Sequence, residues 1–310
     1  QKKWSPLPYI KQNKVVAHIP DAKSQAVLCE ATTNAAVDFI KRHKDEPFFA
    51  YIPYSYIHLP RLVEKSWADK AGGNETRAQI EELDEGIGHI ISTLREQGLD
   101  KKTLVFFTSD NGGARGTSMG PLRGGKGGPK YEGHMRVPTL AWWPGKIKAG
   151  TVTTEYASTI DILPTIAAIT AANVPKDRVI DGKDISKLLL KPGTKSPHKA
   201  IFYAYEGVRI GDWKLVISTP EAPAELYNLK DDIGEQNNLA QQFPEKTKEL
   251  LGMVKKHQKY IQSALRPAAF IETPKPLLKE TDGVPSLAEF MNRTDITTAG
   301  NINKKLNHKY

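Results

Sequence analysis

Two short, unbroken apolar runs stand out in an otherwise mixed chain. They are Pro47-Phe48-Phe49-Ala50-Tyr51-Ile52-Pro53-Tyr54 and Thr103-Leu104-Val105-Phe106-Phe107-Thr108. Runs of this length, rich in β-branched and aromatic residues, suit strands buried on both faces of a parallel sheet. Between them, Ile80, Leu83, Ile87, Ile90, Ile91 and Leu94 form one helical stripe over residues 77–97, and Gly98 stands where a C-terminal cap belongs. Gly86 and Gly88 each cost this helix about 1 kcal/mol relative to Ala, a cost that close packing on a sheet would justify. Residues 24–43 predict another helix, with Leu28, Ala31, Ala35 and Phe39 on one face and basic residues at its C-terminal end. Residues 1–20, with Pro6, Pro8 and Pro20, read as irregular. Further on, 137–143 predicts a strand, 156–159 a short strand, and 160–170 a helix that tolerates Pro164 in its first turn.

This alternation predicts an α/β fold with a mixed sheet flanked by helices. The character changes after a Pro- and Gly-containing linker at 191–199. Strands at 201–205, 207–210, 213–217 and 225–229, the middle two joined at Gly211-Asp212, precede an amphipathic helix at 244–262. They predict a small antiparallel α+β subdomain. The expected domains are 1–190, 198–265 and a tail from 266 to 310.

Composition bounds the function. Hydrophobic content of 39% and charged content of 25% over 310 residues are globular. No stretch of about 18 apolar residues encodes a membrane span. Cys29 is the only cysteine, so neither an internal disulfide framework nor a multi-Cys metal site is expected. The net charge of +9 favours anionic partners such as sulfated glycans or nucleic acid. No aromatic-interleaved basic stripe stands out, however, so the excess is read as spread over solvated faces and the tail, with no nucleic-acid partner. The chain begins Gln1-Lys2-Lys3-Trp4, without an initiator Met or a signal peptide, and is expected to be a fragment or a processed product.

The candidate chemistry gathers between 104 and 136. The second apolar run ends in Ser109-Asp110-Asn111-Gly112-Gly113, beyond a strand end, where ligands of open α/β sheets bind. The Asp110 and Asn111 side chains offer hard oxygens suited to Ca²⁺ or Mg²⁺. Next comes Gly120-Pro121-Leu122-Arg123-Gly124-Gly125-Lys126-Gly127-Gly128, with one lysine as a point charge for an anion among glycines that permit close approach. His58 follows the first apolar run.

The stretches "TLVFFTSDNGG", "GPLRGGKGG" and "YEGHMRVPTLAWWPGKI", in this order and spacing, resemble the sulfatase family of the alkaline-phosphatase superfamily. "PFFAYIPYSYIHLP", "STIDILPTIAAI", "VRIGDWKLV" and "ELYNLKDDIGEQNNLA" extend the resemblance from about residue 8 to about 260. Ile57 stands where the family usually has Pro before the histidine, and His134 where it usually has a second Gly.

The resemblance implies hydrolysis of sulfate esters by an alkaline-phosphatase-like sulfatase fold, incomplete in this chain. It implies Asp110 and Asn111 as metal ligands, Ca²⁺ being the usual ion and Mg²⁺ the alternative. Lys126 would contact the sulfate, and His58 would act as acid at the leaving oxygen; both would bind substrate. The family nucleophile is a formylglycine made from a Cys/Ser-x-Pro/Ala-x-Arg motif. That motif is absent here and is expected in an N-terminal part not included in this chain, so these 310 residues alone are expected to be inactive. Cys29 lacks the motif and reads as a core residue. Arg123, Glu132 and Arg136 read as structural partners around the loop, and His134 as a surface residue. A sulfated small molecule or glycan is the implied substrate, and a periplasmic, secreted or lysosomal location the implied setting. The alternatives are a phosphomonoesterase or phosphodiesterase of the same superfamily and a non-catalytic glycan-binding homologue.

Overall fold

In the computed structural model, which describes residues 6–114, 116–219, 221–267, 272–273, 283–293 and 298–299, the chain opens on a hairpin rather than on irregular structure. Strand β1 (Leu7–Lys11) pairs antiparallel with β2 (Lys14–Ile19). Gln12 and Asn13 between them both have positive φ, at 50° and 62°, as a two-residue turn matching the strand twist requires. The prolines misled because Pro8 lies on an outer strand, where its missing N–H costs nothing. Ala17 and Ile19 point inward and are buried.

Helix α1 (Leu28–Arg42) follows, then β3 (Val63–Glu64), α2 (Lys65–Lys70) and α3 (Glu75–Glu96). The Asn74 side chain caps α3 by accepting the Arg77 N–H at 3.0 Å. Gly98, with φ +65°, closes it as the helical stripe predicts. Gly86 packs against α1 rather than a sheet: a Cβ there would lie 2.6 Å from Thr33 Oγ1. Cys29 is buried in α1, and burial with nearby Glu82 and Glu30 pushes its thiol up to about 12. That is inert core behaviour.

Residues 47–54 form no strand. Phe49 and Tyr51 are 67% and 80% exposed. An apolar run declares a surface to be covered, but a strand exists only where a neighbour completes the ladder. None does so here among the described residues.

From residue 101 to 268 the chain forms a second contact unit, the first being 1–100 with 269–310. Strand β4 (Val105–Thr108), helix α4 (Glu132–Met135) and strand β5 (Thr139–Trp142) open it. β4 and β5 pair antiparallel, Val105 opposite Trp142. β4 is half-buried throughout and has no parallel neighbour among the described residues, contrary to its reading as a central parallel strand. Residues 156–159 are not a strand. Helix α5 (Ile162–Thr170) accommodates Pro164 in its first turn, and a short α6 (Ser186–Leu190) precedes the linker.

The antiparallel subdomain has strands β6 (Ile201–Phe202), β7 (Gly207–Ile210), β8 (Trp213–Val216) and β9 (Glu225–Asn228), in that order. Helix α7 (Pro244–Ala264) covers one face, where Val208, Leu215 and Leu226 pack on Leu250 and Val254. On the other face, Val216 and Tyr227 pack with Leu229 against Tyr131. The chain then returns to the first unit. There α8 (Leu287–Phe290) buries Leu287 among Ala17, Ile19, Val27 and Ala31, and β10 (Thr298–Ala299) pairs antiparallel with β3. Arg293 pairs with Glu30 and Glu64. Residues 283–293 and 298–299 of the 266–310 segment therefore belong to that unit and hold its α8 and β10, while 268–271, 274–282, 294–297 and 300–310 lie outside the described residues. No described helix is long and apolar enough to cross a membrane.

Candidate active site

Strand β4 delivers Asp110 and Asn111 to its C-terminal end, as expected. The Asn111 amide Nδ2–H donates to Asp110 Oδ2, and Ser109 Oγ donates to the Asn111 carbonyl at 3.1 Å. This leaves Asn111 Oδ1 with no hydrogen bond among the described residues and Asp110 exposed.

The Gly-rich loop folds back onto this strand end through its main chain. The Lys126 N–H donates to the Gly113 carbonyl at 3.0 Å, and the Gly112 N–H to the His134 carbonyl at 2.8 Å. Only glycine fits at two of these crossings. A Cβ on Gly112 would lie 1.8 Å from the Gly133 carbonyl oxygen, and one on Gly133 would lie 2.5 Å from that of Arg123. Asp110, Asn111 and Lys126 thus share one local scaffold, the exposed lysine itself making the main-chain contact to Gly113, two residues past Asn111. His134 is half-buried rather than at the surface, its Nδ1–H donating to the Gly128 carbonyl at 2.7 Å.

His58 belongs to the first unit, on a scaffold of its own. Its N–H donates to the Ser55 carbonyl at 3.0 Å, and its Nδ1–H to the Leu59 carbonyl at 2.5 Å. That bond fixes the tautomer and leaves Nε2, on an exposed ring, as the proton-exchanging atom. Helices α1 and α3 anchor the preceding residues. Tyr54 OH bonds Thr33 Oγ1 at 2.9 Å, and Tyr56 OH donates to Glu82 Oε2 at 2.9 Å.

Glu82 is 7% exposed, and burial together with the Glu64, Glu30 and Glu85 carboxylates pushes it up to about 7, against the pull of the Tyr56 hydroxyl. A folded-state value above the unfolded one means that the native state holds a proton the unfolded chain has released. Stability contributed here is present below about pH 4.5 and lost as pH rises through about 7. Glu82→Gln, whose amide oxygen still accepts from Tyr56, is expected to remove that loss. Urea titrations across pH 4–8 should show the variant gaining on the wild type by up to about 3 kcal/mol at the alkaline end. Parallel pH profiles for the two proteins would contradict this.

A set of residues beneath the loop escaped the sequence reading. Lys214, in β8, is fully buried between two carboxylates, with Nζ 2.9 Å from Glu132 Oε1 and 3.0 Å from Glu235 Oε1. The Glu132 contact is a hydrogen bond, and the Glu235 contact an ion pair outside hydrogen-bond alignment. Tyr203 OH donates to Glu132 at 3.1 Å, and Arg209 lies 3.4 Å from the same carboxylate. Burial pushes Glu132 up, but Lys214, Arg209 and the Tyr203 hydroxyl outweigh it and hold the carboxyl below its ordinary value. Glu235 goes the other way, burial raising it against the pull of Lys214. Its Oε2 accepts the Glu132 N–H at 2.6 Å, and its carbonyl accepts Arg123 at 2.7 Å. The small sheet therefore grips both flanks of the Gly-rich loop. Arg123, Glu132 and Arg136 act as structural partners, as expected. The legible signal was a lysine inside the apolar strand Trp213-Lys214-Leu215-Val216, since a buried lysine must be paired.

Among the described residues, no three His, Cys, Asp or Glu side chains cluster as a metal-binding set. Asp110 and Asn111 supply two hard oxygen donors, which fits a share of a Ca²⁺ shell of six to eight.

The sulfatase family model matches residues 3–172, and the model for the C-terminal part of N-sulphoglucosamine sulphohydrolase matches 129–263. The chain belongs to the sulfatase family. The chain is 30% identical to mouse steryl-sulfatase over 81% of its own length and 47% of that protein. It is 35% identical to human arylsulfatase A over 70% of its length and 49% of that protein. A solved structure from a study of glycosaminoglycan metabolism by Bacteroides thetaiotaomicron superposes with a TM-score of 0.69 at 30% identity, covering 76% of this chain and 55% of that one. The chain spans between about a third and about half the length of the curated relatives it matches, and those relatives are sulfate ester hydrolases.

Proposed function

We propose that this chain supplies the cation- and sulfate-binding part of a sulfate ester hydrolase, acting on a sulfated small molecule or glycan. The observation that carries the reading is the Lys126 N–H bond to the Gly113 carbonyl. It ties the main chain of Lys126 to the loop just beyond the strand end that carries Asp110 and Asn111, within a chain of the sulfatase family.

Asp110 and Asn111 would hold a divalent ion, Ca²⁺ or Mg²⁺, through their side-chain oxygens. That ion would neutralise charge on the sulfuryl oxygens. Lys126 would bind the same oxygens and stabilise the charge that grows on them. His58, protonated at Nε2, would give its proton to the departing alkoxide or phenoxide, which needs one near neutral pH. The attacking oxygen would come from a formylglycine in sequence outside these residues, since no Cys/Ser-x-Pro/Ala-x-Arg motif occurs in them.

An assay of aryl sulfate hydrolysis tests this in a protein that includes the motif-bearing sequence. Lys126→Ala and Asp110→Ala are expected to cut kcat/KM by about 10²–10³-fold, the range for losing a preorganised charge-stabilising group. His58→Ala should cost about 10²–10⁴-fold, most for substrates with poor leaving groups. Residues 1–310 alone should show no turnover. Full activity of the Lys126 and Asp110 variants, or turnover by residues 1–310 alone, would overturn the assignment.

A further inference from the structure

The net charge is not spread evenly once the helices are placed. Residues 246–266 carry six Lys or Arg against one carboxylate, Glu249, and so hold +5 of the chain's +9. Nearly all of this segment is helix α7, and contacts on its inner side fix the helix rotation. Leu250 and Val254 are buried on the sheet, the His257 ring stacks on Phe202 at 4.0 Å between centroids, and Gln258 Nε2 donates to the Tyr205 carbonyl at 2.7 Å. At 100° per residue, Lys248, Gly252, Lys255 and Lys259 then fall together on the opposite side, with Lys256 beside them. All five are exposed. The stripe is about 16 Å long from Lys248 to Lys259.

Ordinary roles for surface lysines do not account for it. Lys246 is paired with Glu249 at 2.5 Å, and Glu245 lies one turn from Lys248. Lys255, Lys256 and Lys259 have no acidic residue within four positions on either side and no ion-pair or hydrogen-bond partner among the described residues. Lys255 and Lys259 are like charges at i,i+4, an arrangement that costs helix stability. None of them lies in the last turn, where the helix dipole would reward a cation. Gly252 leaves the backbone bare between Lys248 and Lys255, with nothing within 4 Å of where a Cβ would stand.

We propose that this lysine stripe on α7 is a docking surface for an extended sulfated polysaccharide. A row of ammonium groups about 16 Å long fits a polymer with repeating anionic groups better than one small anion. The stripe holds no apolar side chain to enter a lipid surface and no aromatic ring to stack on a base. The sulfated polymer is chosen over other polyanions on the strength of the proposed substrate class, and in that respect alone the inference rests on the reading above. A second contact would keep a long chain near its hydrolase after each release by raising its effective concentration.

The test is direct binding of residues 1–310 to immobilised heparin near physiological salt, with desulfated heparin and a double-stranded DNA fragment as comparators. The triple variant Lys255→Gln/Lys256→Gln/Lys259→Gln is expected to weaken heparin binding about tenfold or more, since three charge contacts are removed where the Debye length is about 8 Å. Lys11→Gln/Lys14→Gln/Lys41→Gln, three exposed lysines of the first unit, changes the net charge equally and is expected to leave binding within about twofold of wild type. The triple arginine variant at 255, 256 and 259 should bind like wild type, which separates loss of charge from loss of fold. Equal loss in both glutamine triples would mean that only the overall field matters and would overturn the proposal. So would absence of wild-type binding, or DNA and desulfated heparin binding as tightly as heparin. No ester hydrolysis is read, so the result stands apart from the fate of the hydrolase assignment.

Discussion

Lys214→Met is expected to destabilise the protein by about 3–5 kcal/mol at neutral pH, the range for breaking a buried ion pair by removing one partner. Methionine fills much of the same space, so the loss is chiefly electrostatic. Glu132 and Glu235, 2% and 0% exposed, would face each other with no ammonium group between them. In the wild type, Lys214 is the strongest opponent of burial at Glu132, whose carboxyl is held below its ordinary value. Such a group contributes stability above its unfolded pKa, which is lost as pH falls through the folded value. Without Lys214 the sign reverses. Burial and mutual repulsion would raise both carboxyls, and the variant would lose stability as pH rises above the ordinary carboxylate range. The deficit should therefore shrink on acidification toward pH 4. Urea midpoints at pH 4 and pH 7.5 measure this. A deficit under about 1 kcal/mol at both pH values would place the pair among those that solvent screens. Lys214→Met/Glu132→Gln should recover part of the loss, because one uncompensated charge has been removed with its partner.

Asp161→Ala is expected to cost about 3–5 kcal/mol. Asp161 is fully buried, and three donors converge on its two oxygens through four contacts. It accepts the Ser158 N–H at 2.8 Å, the Lys183 N–H at 2.8 Å, and His198 Nε2 at 2.8 and 2.9 Å. Its removal orphans two backbone donors and a histidine whose side chain is 6% exposed. These partners bind the start of α5 to the segment before α6 and to the linker ahead of the small sheet. Asp161→Asn keeps one acceptor oxygen but turns an amide N–H₂ toward donors, so it should recover only a fraction. A thermal unfolding series of wild type, Asn and Ala checks the order. An Asn variant as stable as wild type would show that shape rather than charge is read at this position.

What was legible in the sequence was whatever a single element determines for itself. The stripe from Ile80 to Leu94 and the cap at Gly98 specify α3 without reference to anything else. The hairpin at Gly211-Asp212 and helix α7 are likewise local in origin. The order of Asp110, Asn111 and Lys126 was visible because strand, turn and glycine loop are contiguous. The apolar run at 47–54 was misread because strand formation needs a partner that local sequence does not name, and the hairpin at 7–19 because Pro8 weighs against a strand only if its N–H is wanted.

The sequence by itself determined the family, the local elements and the residue types that can bind a cation and an anion. Side-chain pattern and turn chemistry act over a few residues and suffice for these. Tertiary structure alone decided what lies beneath the loop. It set Lys214 between carboxylates 82 residues back and 21 residues on, and His198 against an aspartate 37 residues earlier. It also turned the lysines of α7 outward together. Pairings of that kind depend on which faces the packed core leaves adjacent, and burial makes them strong because it removes the water that would otherwise satisfy each charge.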